Sequence, residues 1–132
     1  MNPIQQCMKR QHWVLEAWDD RYSKGIWLAL SPAEHVEDIR SSTSAGDLDM
    51  DTATDFLLRS TLLPIVVEST LERALETLIE RLSRLADYDM ESKSEWALAV
   101  HAEYAYFCSE IDGSSEYGAL RLRDPRLWPF TR

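Results

Sequence analysis

Three histidines, two cysteines and 23 acidic residues are the groups in this 132-residue chain best able to do chemistry, and their spacing decides what kind. His101 and Glu103 are the polar intruders in the most apolar segment of the chain. Two positions apart on a helix they point in different directions. On a strand they would share a face and could act as an acid/base pair. His12, Glu16 and Asp20 would share one stripe of a helix, and His35 sits beside Glu34, Glu37 and Asp38. Neither group has the spacing of a ligand set such as His-Glu-x-x-His, so chance proximity in so acidic a chain is the expectation there, and a hydrogen-bonded structural histidine is the expectation at position 101.

Asp47, Asp49, Asp51 and Asp55 alternate as the first ligands of a calcium loop do. The sixth loop position is Thr52 where the turn needs glycine, and the twelfth is Leu58 where the ion needs a bidentate glutamate. The aspartates are therefore read as residues that cap and polarise the start of the following helix. There is no Gly-x-Ser-x-Gly elbow, and Cys108 lies in an apolar context rather than at an exposed helix N-terminus where its pKa would fall. Four scattered glycines (Gly25, Gly46, Gly113, Gly118) cannot form a phosphate loop. No catalytic residue, cofactor or metal is expected, and an enzyme built around His101 and Glu103 is the third reading.

The acidic residues remain. Net charge is −9, and residues 1 to 120 alone hold 22 acids against 10 bases, whereas residues 121 to 132 carry Arg121, Arg123, Arg126 and Arg132 against Asp124. Such a body repels phosphate backbones, excluding direct nucleic-acid binding, and attracts a basic protein. The acids gather in two segments: Glu34, Glu37, Asp38, Asp47, Asp49, Asp51 and Asp55 against Arg40, and Asp87, Asp89, Glu91, Glu95, Glu103, Glu110, Asp112 and Glu116 against Lys93. A docking face is expected on Asp47, Asp49, Asp51, Asp55, Asp87, Asp89, Glu91 and Glu95.

The elements that would position these residues are mainly helical. A chain of this length fits one domain, with no internal repeat. The spacing of Ile4, Met8, Val14, Leu15 and Trp18 reads as one helix from Asn2 to about Tyr22, with Pro3 in its first turn. Ile26 to Leu30 is a short buried strand or extended connection, and Ser31-Pro32-x-Glu34 reads as the capping box of a helix running to about Arg40. Residues 41–50 form a polar loop. Asp51 or Thr52 caps a helix that Pro64 ends or kinks. Leu71, Leu75, Leu78, Leu82 and Leu85 mark a helix from Ile65 to about Ala86, too short in heptads for a coiled coil. Residues 95–112, rich in alanine, form a central helix, followed by a turn, a strand over 117–123 with one basic face, and an irregular tail over 124–132. The expected fold is a compact single-domain bundle of about five helices with one or two short strands, a minor α+β element.

The stretch Asp20-Arg21-Tyr22-Ser23-Lys24-Gly25-Ile26-Trp27 resembles the Tyr-Ser-Gly-Gly-Ile/Tyr-Trp segment of plasmid antirestriction proteins of the ArdB/KlcA type. It spans eight residues; the Asn-Gly-Gly that follows in that family and its later His-Pro-Glu are absent here. The resemblance implies a protein that blocks another protein's attack on DNA.

With no apolar leader and no apolar run of about 20 residues, the chain is expected in the cytoplasm, away from membranes, with Cys7 and Cys108 as reduced thiols. The functional expectation is a non-catalytic inhibitor or immunity-type protein, monomer or homodimer, that neutralises a basic partner such as a nuclease toxin or a defence component. A small acidic secretion or assembly chaperone, dimerising through the leucine ladder, is the alternative.

Overall fold

The computed structural model describes residues 2–20, 24–44, 50–60, 62–85 and 95–112, with the backbone alone at 50–53, 85 and 110–112. They form five helices and one three-stranded antiparallel sheet, in the order α1 (Pro3–Gln11), β1 (Val14–Asp19), β2 (Ile26–Ser31), α2 (Ala33–Ser44), α3 (Met50–Arg59), β3 (Ile65–Glu68), α4 (Leu71–Leu85) and α5 (Glu95–Asp112). The protein is mainly α, with a small α+β element.

Two expected helices are shorter than their apolar spacing suggested, and each gives up an end to the sheet. The first starts as expected, with Pro3 in the first turn and a capping box in which Asn2 and Gln5 each accept the other's backbone N–H. It stops at His12, whose φ of 60° is left-handed, and not near Tyr22. Beyond it residues 14–19 pair as a strand, from Val14 opposite Ser31 to Asp19 opposite Ile26. The pair Trp18 and Trp27 stacks across the strands with planes 7° apart. Likewise Ile65-Val66-Val67, expected to open a helix, forms β3 against β2, Ile65 lying opposite Ala29 and Glu68 opposite Ile26. Stiff β-branched side chains following Pro64 favour the extended chain, and α4 starts only at Leu71.

Strand β2 is the middle of the sheet, and every residue from Trp27 to Ser31 is buried. Since successive side chains point to opposite faces, both faces of β2 are covered. Gly25, just before it, lies so close to β3 that a Cβ there would stand 2.7 Å from the Glu68 carbonyl oxygen. Buried side chains from all eight elements form one apolar cluster, including Ile4, Trp18, Leu30, Ile39, Phe56, Ile65, Leu78 and Tyr104. Leu78 and Leu82 of the leucine ladder are fully buried in it, while Leu71 at its start is 44% exposed. Four tryptophans, Trp13, Trp18, Trp27 and Trp96, also belong to this core.

Helix α2 begins at Ala33 and extends through Ser44, four residues into the expected loop. Ser31 does not cap it, because Ser31 is the last residue of β2 and its hydroxyl donates to the Pro32 carbonyl. Helix α5 occupies 95–112 as expected. Residues 45–49, the polar segment 86–94, the expected strand over 117–123 and the tail over 124–132 lie outside the described residues. No helix among the described residues is long and apolar enough to cross a membrane.

Candidate functional site

The first turn of α2 and the middle of α5 are brought together by helix packing, which unites residues 66 positions apart in the chain. Ile39 anchors α2 in the core and Val100 and Tyr104 anchor α5, so the residues between them are held on rigid supports. Cys108 adds a tie, its thiol donating to the His35 carbonyl at 3.8 Å. At the meeting point His35 Nε2 lies 3.3 Å from His101 Nδ1, and the rings meet edge to face with centroids 5.1 Å apart. Glu34 Oε1 lies 3.0 Å from His101 Nε2 and 3.8 Å from His35 Nε2. The side chains of Glu34 and His101 are 63% and 47% exposed, whereas that of His35 is 14% exposed. Burial holds the His35 imidazole below its ordinary pKa of 6.5; Glu34 and Asp38 pull the other way, and His101 adds to the lowering.

A consistent proton arrangement runs along this group. Glu34 accepts from His101 Nε2–H, which leaves the lone pair of His101 on Nδ1 to accept from His35 Nε2–H. The result is a carboxylate–imidazole–imidazole cluster open to solvent on one side. Its three residues each offer a ligand atom, and those atoms lie within 4.8 Å of one another.

The pair singled out by sequence separates. His101 faces outward, while Glu103, two residues on along α5, is 1% exposed. The helix thus removes the shared face on which acid/base work by these two residues would depend. Glu103 Oε2 accepts from the Ser60 hydroxyl at 2.5 Å, and Oε1 has no hydrogen-bond partner among the described residues. Ser60 Oγ also accepts from the N–H groups of Leu62 and Leu63. Arg81 on α4 donates from Nε to the Leu63 carbonyl and from its terminal nitrogen to the Ser60 carbonyl, each at 2.6 Å. Burial pushes the Glu103 carboxyl above its ordinary pKa, outweighing the Ser60 hydrogen bond and the Arg81 charge, and burial lowers that of Arg81. This network clamps the α3–β3 connection against α4 and α5, so its work is structural.

Of the eight residues expected on a docking face, two have described side chains. Asp55 on α3 is exposed and paired with Arg59 at 2.6 Å, and Glu95 at the start of α5 is exposed. Asp51 lies in α3, where only the backbone is described, and Asp47, Asp49, Asp87, Asp89 and Glu91 lie outside the described residues. A row that sequence reading did not single out stands on α4. Glu72, Glu76 and Glu80 are all exposed, at intervals of four residues and hence about 6 Å along the helix. Their four-residue spacing was the available signal.

The histidine cluster was missed because its members are local neighbours only in pairs. Glu34 and His35 are adjacent, and the contact with His101 exists only once α2 lies on α5. No family model, curated protein or solved structure matches the chain.

Proposed function

We propose that the protein is a non-catalytic acidic binding protein, an inhibitor or immunity-type protein that neutralises a basic protein partner such as a nuclease toxin or a defence component. The observation that carries this reading is the charge of the exposed surface. Among the acidic residues whose side chains are described, Glu103 alone is buried, and Arg40, Arg59 and Arg73 are each already engaged by an acid.

The α4 row supports the same reading energetically. Like charges four apart on a helix cost a few tenths of a kcal/mol per pair. Glu72 recovers some of this near the positive N-terminus, and Glu80 stands four residues before Arg84, the favourable order for a helical ion pair. Glu76 has Glu72 and Glu80 four residues to either side and Arg73 three residues before it. An exposed acidic stripe of this kind suits a surface that steers a cationic protein, where complementary charge raises the association rate about 10-fold to 1,000-fold, the scale of electrostatic steering. The proposed docking surface also takes in Asp47, Asp49, Asp51, Asp55, Asp87, Asp89, Glu91 and Glu95. The protein acts as one compact cytoplasmic unit that touches neither nucleic acid nor membrane directly. Burial of Leu78 and Leu82 in the chain's own core argues against the chaperone alternative, since they are not free to form a dimer seam.

The test is association kinetics with the partner purified by affinity capture from the native host. Combined Glu72→Lys, Glu76→Lys and Glu80→Lys substitution should slow association at low salt by at least about tenfold. An unchanged association rate, or a captured partner that is itself acidic, would overturn the proposal.

A further inference from the structure

We infer that Glu34, His35 and His101 form a binding site for a divalent first-row transition metal, with zinc as the ion of choice. The donor set is two imidazole nitrogens and one carboxylate oxygen, the combination that suits zinc and its neighbours rather than calcium or magnesium. Donors bound about 2.0–2.1 Å from a tetrahedral ion stand roughly 3.3 Å from one another. His35 Nε2 and His101 Nδ1 are 3.3 Å apart, and Glu34 Oε1 is 3.8 Å from His35 Nε2. Glu34 Oε1 stands 3.0 Å from the other ring nitrogen of His101, Nε2; the three ligand atoms lie within 4.8 Å of one another, and the carboxylate has to swing toward Nδ1 to complete the sphere. Binding needs the His35 proton to move from Nε2 to Nδ1, which leaves Nε2 as a neutral ligand, and the Glu34 side chain to adjust.

The supports of the site are rigid. His101 lies between Val100 and Tyr104, both fully buried, and α2 is fixed four residues beyond His35 by the fully buried Ile39. The ion would thus bridge two helices whose positions the core has already set, rather than organise a loop. Three protein ligands leave at least one position for water or for a donor from another molecule, since a structural zinc site would use four protein ligands. The exposure of Glu34 and His101 places that open position at the surface. This assignment is independent of the acidic docking surface on α4.

The direct test is isothermal titration of the full chain with zinc chloride in a non-chelating buffer, with histidine ring resonances followed by NMR. The wild type should bind one ion per chain and shift the ring signals of His35 and His101 but not those of His12. His35→Ala and His101→Ala should each weaken binding by at least about 100-fold, and Glu34→Gln by about tenfold or more, the scale on which zinc sites respond to loss of supporting groups. His101 is half exposed, so its alanine variant keeps the fold even if His35→Ala does not. His12→Asn, which keeps a residue tolerant of the left-handed backbone at that position, should leave affinity unchanged. Absence of zinc binding by the wild type would overturn the assignment, as would undiminished binding by His101→Ala or a loss in His12→Asn equal to that in His101→Ala.

Discussion

Replacing Glu103 by glutamine should make the protein's stability less sensitive to rising pH, and replacing it by alanine should cost about 2–5 kcal/mol. The alanine figure follows from what the carboxylate touches. Its loss leaves the buried Ser60 hydroxyl without its acceptor, at about 1–3 kcal/mol. It also opens a small cavity beside the core. Glutamine keeps the shape and an acceptor for Ser60 but carries no charge. The sign of the pH effect follows from burial, which places the carboxyl's folded-state pKa above the ordinary 4.5. A group raised in this way contributes stability that is complete below the unfolded value and is lost as pH rises through the folded one. In the wild type that contribution therefore disappears as pH climbs from about 4.5 through the raised folded value, while the glutamine variant has none to lose. Urea unfolding of both proteins, followed by far-UV circular dichroism across pH 4 to about pH 8, measures it directly. All other titrating groups are common to the two chains and cancel. The stability of the glutamine variant relative to wild type should rise with pH. Parallel profiles, or a relative fall, would refute the burial argument.

Gly25→Ala should destabilise by about 1–3 kcal/mol, the usual cost of forcing an atom into a filled space, because the new Cβ would meet the Glu68 carbonyl at 2.7 Å; an unchanged thermal midpoint would contradict the close approach of β2 and β3. The thiol of Cys7 is pushed up to about 12 by burial, so it should resist alkylation at pH 8 in the native protein and react readily in denaturant. Rapid native labelling of Cys7, mapped by mass spectrometry, would show that α1 does not pack as described.

How much of this was legible in the sequence depends on where each signal lived. Helix α5 could be placed from its alanines and length, and the buried run Ile26 to Leu30 could be recognised as a strand from its glycine and proline boundaries. Strands β1 and β3 were read as helix because Val14 to Trp18 and Ile65 to Val67 continue the apolar spacing of neighbouring helices. What decided against the helix was non-local: a left-handed residue at His12 and hydrogen-bonding partners in β2. The capping box expected at Ser31 failed for the same reason, since pairing with Val14 kept Ser31 in the sheet and left Glu34 free to reach His101. The histidine cluster shows the limit most clearly. Periodicity within one segment cannot report a contact between residues 35 and 101, and only the packing of α2 on α5 creates it. The surface charge was visible as composition, and the leucine spacing of α4 already put Glu72, Glu76 and Glu80 on its other faces.

Inhibition of the basic partner at two ionic strengths tests the central claim most directly. The partner's activity, measured against increasing amounts of this protein, should be abolished near a one-to-one ratio at low salt. Inhibition should weaken steeply as salt shortens the reach of charge–charge attraction to about 8–10 Å, and it should be relieved by the triple α4 substitution. Binding without inhibition, or inhibition indifferent to both salt and the charge of α4, would contradict the account.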